Sequence, residues 1–200
     1  LVYTSDADFH TDGAADPDTI TVTIDDQGNT GSGGALSASQ SATIGVDPVN
    51  DRPDASEGPE TVAATVEHQT GTPETLSSLL GGNYDDSTDD QTTDGGGDTS
   101  TVFSFVAITG STDYDAAQGT WQVSDGSGWI DVPASGLDAS NALVVDASRE
   151  IRFDPAPDFH GTPGTLDVRL ADGDTIETIT ESTDADDLKD LSSEGGTGEM

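Results

Sequence analysis

The chain has 200 residues, of which 40 are acidic and 5 basic, giving a formal charge of −35. A polyanion of that density repels phosphate backbones and anionic membrane surfaces, which are bound through Lys and Arg clusters, so nucleic acid is not expected as a partner and neither is membrane insertion. Hydrophobic residues make up 31% of the chain, below the roughly 45–50% of ordinary globular domains, so any core is small.

The acids are 31 Asp and 9 Glu, a bias toward the short carboxylate that sits in turns and coordinates hard cations. Short runs of Val, Ile, Thr and Phe recur between clusters of Gly, Asp, Ser and Pro, the pattern of an all-β chain with thin cores. There is no cysteine; a secreted chain of this kind would lack disulfides, and bound metal is the obvious other source of stability. No apolar run approaches the ~20 residues of a membrane-spanning helix. The first residues show neither an initiating Met nor a signal peptide, so the chain reads as a piece of a longer one.

From the N-terminus, Tyr3-Thr-Ser-Asp6-Ala-Asp8-Phe9-His10 leads through an acidic loop into the alternating strand Ile20-x-Val22-x-Ile24-x-Asp26. A Gly/Ser loop over 28–34 and a strand over 40–46 follow. The segment Val46-Asp47-Pro48-Val49-Asn50-Asp51-Arg52-Pro53-Asp54 reads as a stiff junction, because its prolines fix the backbone and remove strand hydrogen bonds. Beyond it, strands are expected over 61–67, 101–108, 120–123, 129–132, 142–145, 150–153, 165–170 and 175–180. One short helix is expected over 74–80, capped by Thr72 with Pro73 at its first position and stopped by Gly81-Gly82. Trp121 and Trp129 flank the turn-rich Ser124-Asp-Gly-Ser-Gly128 and read as core or cross-strand aromatics on a hairpin. The acidic stretch 85–98 fits neither an EF-hand nor a tandem glycine-aspartate repeat. Residues 181–196 read as a mobile loop.

An internal repeat organises these elements. Tyr3 to His10 reappears as Phe153-Asp154-Pro-Ala-Pro-Asp158-Phe159-His160, an offset of 150 residues from Asp8 to Asp158. The strand after it reappears as Leu166-x-Val168-x-Leu170-x-Asp172, an offset of 146 from Ile20 to Leu166. Residues 1–46 therefore read as the C-terminal part of one domain, 47–54 as a linker, and 55–200 as a second, larger copy lacking its last strand, with 181–200 as a loop.

Calcium takes six to eight oxygens at about 2.3–2.6 Å, which needs several carboxylates brought together on a fixed turn. Asp47, Asn50 and Asp51 sit on the proline-fixed junction; Asp25 and Asp26 end a strand that would lie beside it, as would Glu67 at the far end of the first strand of copy two. Asp6 and Asp8, their counterparts Asp154 and Asp158, and Asp172 with Asp174 are candidates for equivalent sites at domain ends. Zinc is disfavoured by the absence of Cys and by three scattered His. Enzyme chemistry has little support: no nucleophile motif, Walker loop or dinucleotide loop is present, and paired carboxylates mean little where one residue in five is acidic. His10 and His160, each after Asp-Phe, read as turn-stabilising residues.

Asp47-x-x-Asn50-Asp51-x-Pro53 resembles the calcium linker between cadherin-type repeats. Gly119-Thr-Trp121-Gln-Val-Ser124-Asp-Gly-Ser-Gly-Trp129, Arg152-Phe-Asp-Pro-Ala-Pro-Asp158-Phe159-His-Gly161-Thr and Leu166-x-Val168-x-Leu170-x-Asp172 resemble the cadherin-like, VCBS-type tandem repeats of large RTX-type bacterial adhesins. The resemblance implies tandem Ig-like or cadherin-like β-sandwiches, the first partial, exported by type I secretion to the bacterial cell surface. They would form a non-catalytic, Ca2+-stiffened stalk for cell adhesion whose partners are neighbouring repeats of the same chain. It also makes Glu67 the acidic residue that follows the first strand of a repeat. His10 and His160 depart from the family, which more often has Asn there. A different reading makes copy two a calcium-dependent module for carbohydrate or another cell-surface ligand, using Trp121 or Trp129. A third assigns the acidity to a high-salt habitat.

Overall fold

The computed structural model describes residues 2–6, 9, 11, 18–29, 32–46, 53–56, 58–87, 102–171 and 181–192. Their structure is mostly β-strand, in several sheets, with one short helix. They fall into two compact units, one holding the described residues up to 46 and the other those from 53 onward.

In the first unit, β1 (Thr19–Asp25) pairs antiparallel with β2 (Ser37–Thr43). Alternation in both strands sorts side chains onto two faces. One face is a hydroxyl ladder, with Thr21 and Thr23 bonded to Ser41 and Ser39 at 2.9 and 2.8 Å. On the other, Ile20, Val22 and Ile24 stand opposite Ala42, Gln40 and Ala38. Ile20 is half-buried, whereas Val22 and Ile24 are exposed. The turn after β1 is built by its own acids. Asp25 Oδ1 accepts from the Gln27 amide at 2.6 Å, and Asp26 Oδ1 accepts from the amides of Gly28 and Leu36 at 2.9 and 3.0 Å. Gln27 and Gly28 adopt φ of 53° and 78° there.

The second unit contains a four-stranded sheet in the order β4-β10-β7-β8 and a three-stranded sheet in the order β11-β6-β9. These are β4 (Glu74–Thr75), β6 (Phe105–Thr112), β7 (Gly119–Ser124), β8 (Trp129–Asp131), β9 (Leu143–Asp146), β10 (Glu150–Pro155) and β11 (Thr165–Ala171). A short pair joins β3 (Asp54–Ala55) to β5 (Tyr84–Asp85). The two larger sheets share one apolar core. Trp121, Val123, Ile130, Ile151 and Phe153 come from the first, and Val106, Ile108, Leu143 and Val145 from the second. Leu76 and Leu80 of α1 (Leu76–Leu80) join the same core.

Several elements differ from the sequence reading: β2 and β6 occupy Ser37–Thr43 and Phe105–Thr112 where strands were expected over 40–46 and 101–108. The helix begins at Leu76, and its cap is Thr75, whose side chain accepts from the Ser78 amide. Thr72 and Pro73 lie upstream because Glu74 and Thr75 are drawn into the sheet opposite Ile151 and Glu150. Residues 61–67, expected as a strand, form none; 61–66 carry no regular structure and Glu67 opens a turn. Their alternation is real, but no described strand pairs with them, and without a ladder an extended segment is not a strand.

Residues 181–192, expected as a mobile loop, pack along β9. The Ser182 amide donates to Val144 O at 2.7 Å, Lys189 and Ala142 exchange two bonds of 2.8 Å, and Leu191 is buried with Ala107, Ala142 and Val144. The second face of the sheet is thereby covered at Ala107 of β6 and Val144 of β9. The expected strand over 175–180 lies outside the described residues.

Arg149 clamps the start of this segment, donating from Nε and Nη2 to both oxygens of Glu181 at 2.8 and 2.7 Å. These bonds hold the Glu181 carboxyl below its ordinary value of 4.5. Its stabilisation is complete above that value and is lost as pH falls through the lowered one. The side chains are 28% and 32% exposed, so solvent screening holds the pair to about 1 kcal/mol. Glu181→Gln should cost that much in urea unfolding at pH 7, and the cost should shrink as the pH is lowered below 4.5; a cost that does not change with pH down to the acid limit of folding would remove the ion pair as the cause.

Candidate cation site

Two loops of the second unit converge beside the end of β10. The first turns at Val66–Gln69: the Gln69 amide donates to Val66 O at 3.1 Å, Thr65 Oγ1 donates to Gln69 O at 2.8 Å, and His68 adopts φ +64°. The second follows β10 with Asp158 at φ +65°, the Phe159 amide donating to Ala156 O at 3.1 Å and His160 Nδ1 lying 3.2 Å from Asp158 O. That contact is the turn-bracing role expected of His160; His10 lies outside the described residues.

The loops are held together where Gly71 donates to Phe153 O at 2.8 Å and Thr70 Oγ1 to Asp154 Oδ1 at 2.6 Å. A Cβ on Gly71 would stand 3.0 Å from Phe153 O, so any larger residue would crowd this approach. As a result Glu67, His68 and Asp158 each place a ligand atom within 4.8 Å of the others. His68 Nε2 lies 3.5 Å from Asp158 Oδ1, with side chains 59% and 90% exposed. The two carboxylates are the donors a hard cation takes; the imidazole is not one that calcium prefers. A calcium ion here would draw on Glu67 and Asp158 and complete its shell with water.

Of the residues expected to bind metal, Glu67 and Asp158 are brought together. Asp154 lies next to them but accepts from Thr70. Asp25 and Asp26 sit in the first unit, with their carboxylates engaged in the turn after β1. Asp6 is exposed, and the Tyr3 hydroxyl nearby donates to Asp18, which pushes the phenol up to about 12. Asp8, Asp47, Asn50, Asp51, Asp172 and Asp174 lie outside the described residues. His68 was not anticipated; its only signal in the sequence is adjacency to Glu67.

The aromatic pair does not form a platform. Trp121 is buried in the core, while Trp129 is half-buried with the Arg152 guanidinium carbon 3.7 Å from its ring centroid. A recess of about 170 Å3 lined by Ser124, Asp125, Val145, Glu181, Ser182 and Thr183 is below the ~300 Å3 of typical small-molecule sites.

No protein-family model matches this chain, and no curated protein and no solved structure matches it.

Proposed function

We propose that this chain is a non-catalytic, calcium-stabilised structural segment of an extracellular bacterial adhesin, built from tandem cadherin-like β-sandwich repeats that form part of a stalk. The observation that carries the calcium reading is the convergence of Glu67 and Asp158, distant in sequence, on one edge of the second unit. The repeat reading is supported by the internal match of residues 3–26 to 153–172 and by the division of the chain into two β units where the Asp47-to-Pro53 junction falls. Carboxylates brought as close as Glu67 and Asp158 repel one another until a divalent ion bridges them, so the ion would tie the Val66–Gln69 turn to the loop after β10 and stiffen the second unit.

The test is thermal unfolding in EDTA, millimolar Ca2+ and millimolar Mg2+ at matched high ionic strength. An ion bound only by the folded state at 100 times its Kd adds about 2.7 kcal/mol per site. A Ca2+-specific rise in Tm that falls in the Glu67→Gln/Asp158→Asn double variant is the expected result. Stability that follows NaCl alone, with no difference between Ca2+ and EDTA, would sink the calcium reading and favour salt adaptation.

A further inference from the structure

We propose that the outer edge of β11 is a docking site for an added antiparallel strand of the β2 kind: uncharged, extended, alternating small apolar and hydroxyl residues. The inference rests on the repeat part of the reading above and not on calcium.

The argument is one of backbone parity. Residues of a strand point their N–H and C=O groups alternately to its two edges. In the first unit the Ile44 amide donates to Asp18 O at 2.9 Å and the Asp26 amide to Leu36 O at 3.1 Å. These bonds fix the parity of β1, so the groups of Ile20, Val22 and Ile24 turn toward β2.

In the second unit the Ser104 amide donates to Ala171 O at 3.0 Å and Thr109 Oγ1 to Asp167 O at 3.5 Å. Ala171 and Asp167 therefore turn toward β6. The register irregularity opposite Asp167 and Val168 skips Thr109 of β6, so β11 keeps its own alternation. Leu166, Val168 and Leu170 consequently turn their backbone groups to the outer edge.

These three are the residues that the internal repeat aligns with Ile20, Val22 and Ile24. The positions that bind β2 in one copy are thus the positions that face outward in the other, where no partner strand exists among the described residues. Val168 is 37% exposed. By the same register, Ala38 of a β2-type strand would stand opposite Leu170, and Gln40 opposite Val168. Such a strand also brings no acid beside Asp167. An exposed run of backbone donors and acceptors is a ready template for strand addition.

The probe is a synthetic peptide of residues 35–46, acetylated and amidated, added to the full chain and followed by amide hydrogen exchange in EDTA and in Ca2+. Saturable protection of the Leu166, Val168 and Leu170 amides, at least tenfold, is expected in both conditions. The same peptide carrying Gln40→Pro, which deletes an amide that faces β1 in the parent hairpin, should give none. Absence of protection at millimolar peptide, or equal protection by the proline peptide, would overturn the inference. So would protection that rises with protein concentration alone, which would assign the edge to self-association. Peptide protection in EDTA without any calcium effect on Tm would leave this site standing while the calcium reading fails.

Discussion

Trp121→Ala is expected to destabilise the second unit by about 3–5 kcal/mol, a large fraction of the 5–15 kcal/mol typical of a domain. The ring is 8% exposed and packs on Phe153 at 5.1 Å between centroids. Its Nε1 donates to Gly164 O at 2.9 Å, and its amide donates to the Tyr114 hydroxyl at 3.2 Å. Alanine would open a cavity at the centre of the shared core and leave the Gly164 carbonyl without its donor. Phe153, which also contacts Phe159 at 6.2 Å, would lose its support, and with it the loop that carries Asp158. Trp129→Ala, which removes a half-buried ring under Arg152, should cost about 1 kcal/mol or less. Urea unfolding of both variants checks the contrast; equal costs would contradict the assignment of Trp121 to the core.

The same contrast shows what sequence makes legible. The strands β7, β10 and β11 were readable because one face of each carries the large residues in strict alternation. In β7 only Gly119, Trp121 and Val123 are buried. Residues 61–67 alternate too, yet alternation records which side chains face inward and cannot supply a partner strand. The docking of 181–192 was hidden because a segment dominated by Asp and Ser reads as solvated, while its anchoring rests on Leu191, Ser182 and backbone bonds.

The abundance of aspartate was legible in kind but not in use. In Asp-x-Ser at 85–87, 125–127, 138–140, 146–148 and 190–192, the carboxylate accepts from the serine amide two residues on, at 2.7–3.0 Å. Hydrogen bonds from those serines lower the carboxyls of Asp85, Asp125, Asp138 and Asp190. These acids are turn-builders, and the recurring spacing is a signal that a search for cation ligands passes over. What composition could not reveal is which acids remain for a cation. That depends on the approach of the Val66–Gln69 turn to the end of β10, a contact no local pattern encodes.

Gly119→Ala should expose that dependence, with a loss of about 3 kcal/mol or more from a strained backbone and a steric clash together. Gly119 holds φ +136° where β7 meets the end of β10, and an added Cβ would lie 2.3 Å from Asp154 O and 2.7 Å from Pro155 Cα. Neither neighbour is a flexible side-chain tip, so the strands must separate. The Ala156 amide bond to Gln118 O, now 3.0 Å, would stretch with them. The displaced segment is the one that runs on to Asp158, so Gly119→Ala should lower both the unfolding midpoint in EDTA and any further shift produced by Ca2+. Gly136→Ala isolates the backbone contribution: Gly136 has φ +88° and nothing within 4 Å of a Cβ, so its cost should be about 1 kcal/mol and its calcium response unchanged. If the two variants lose equal stability, the close approach of β7 to Asp154 is not the constraint; if Gly119→Ala is the worse and keeps the full calcium response, the end of β10 does not position the cation ligands.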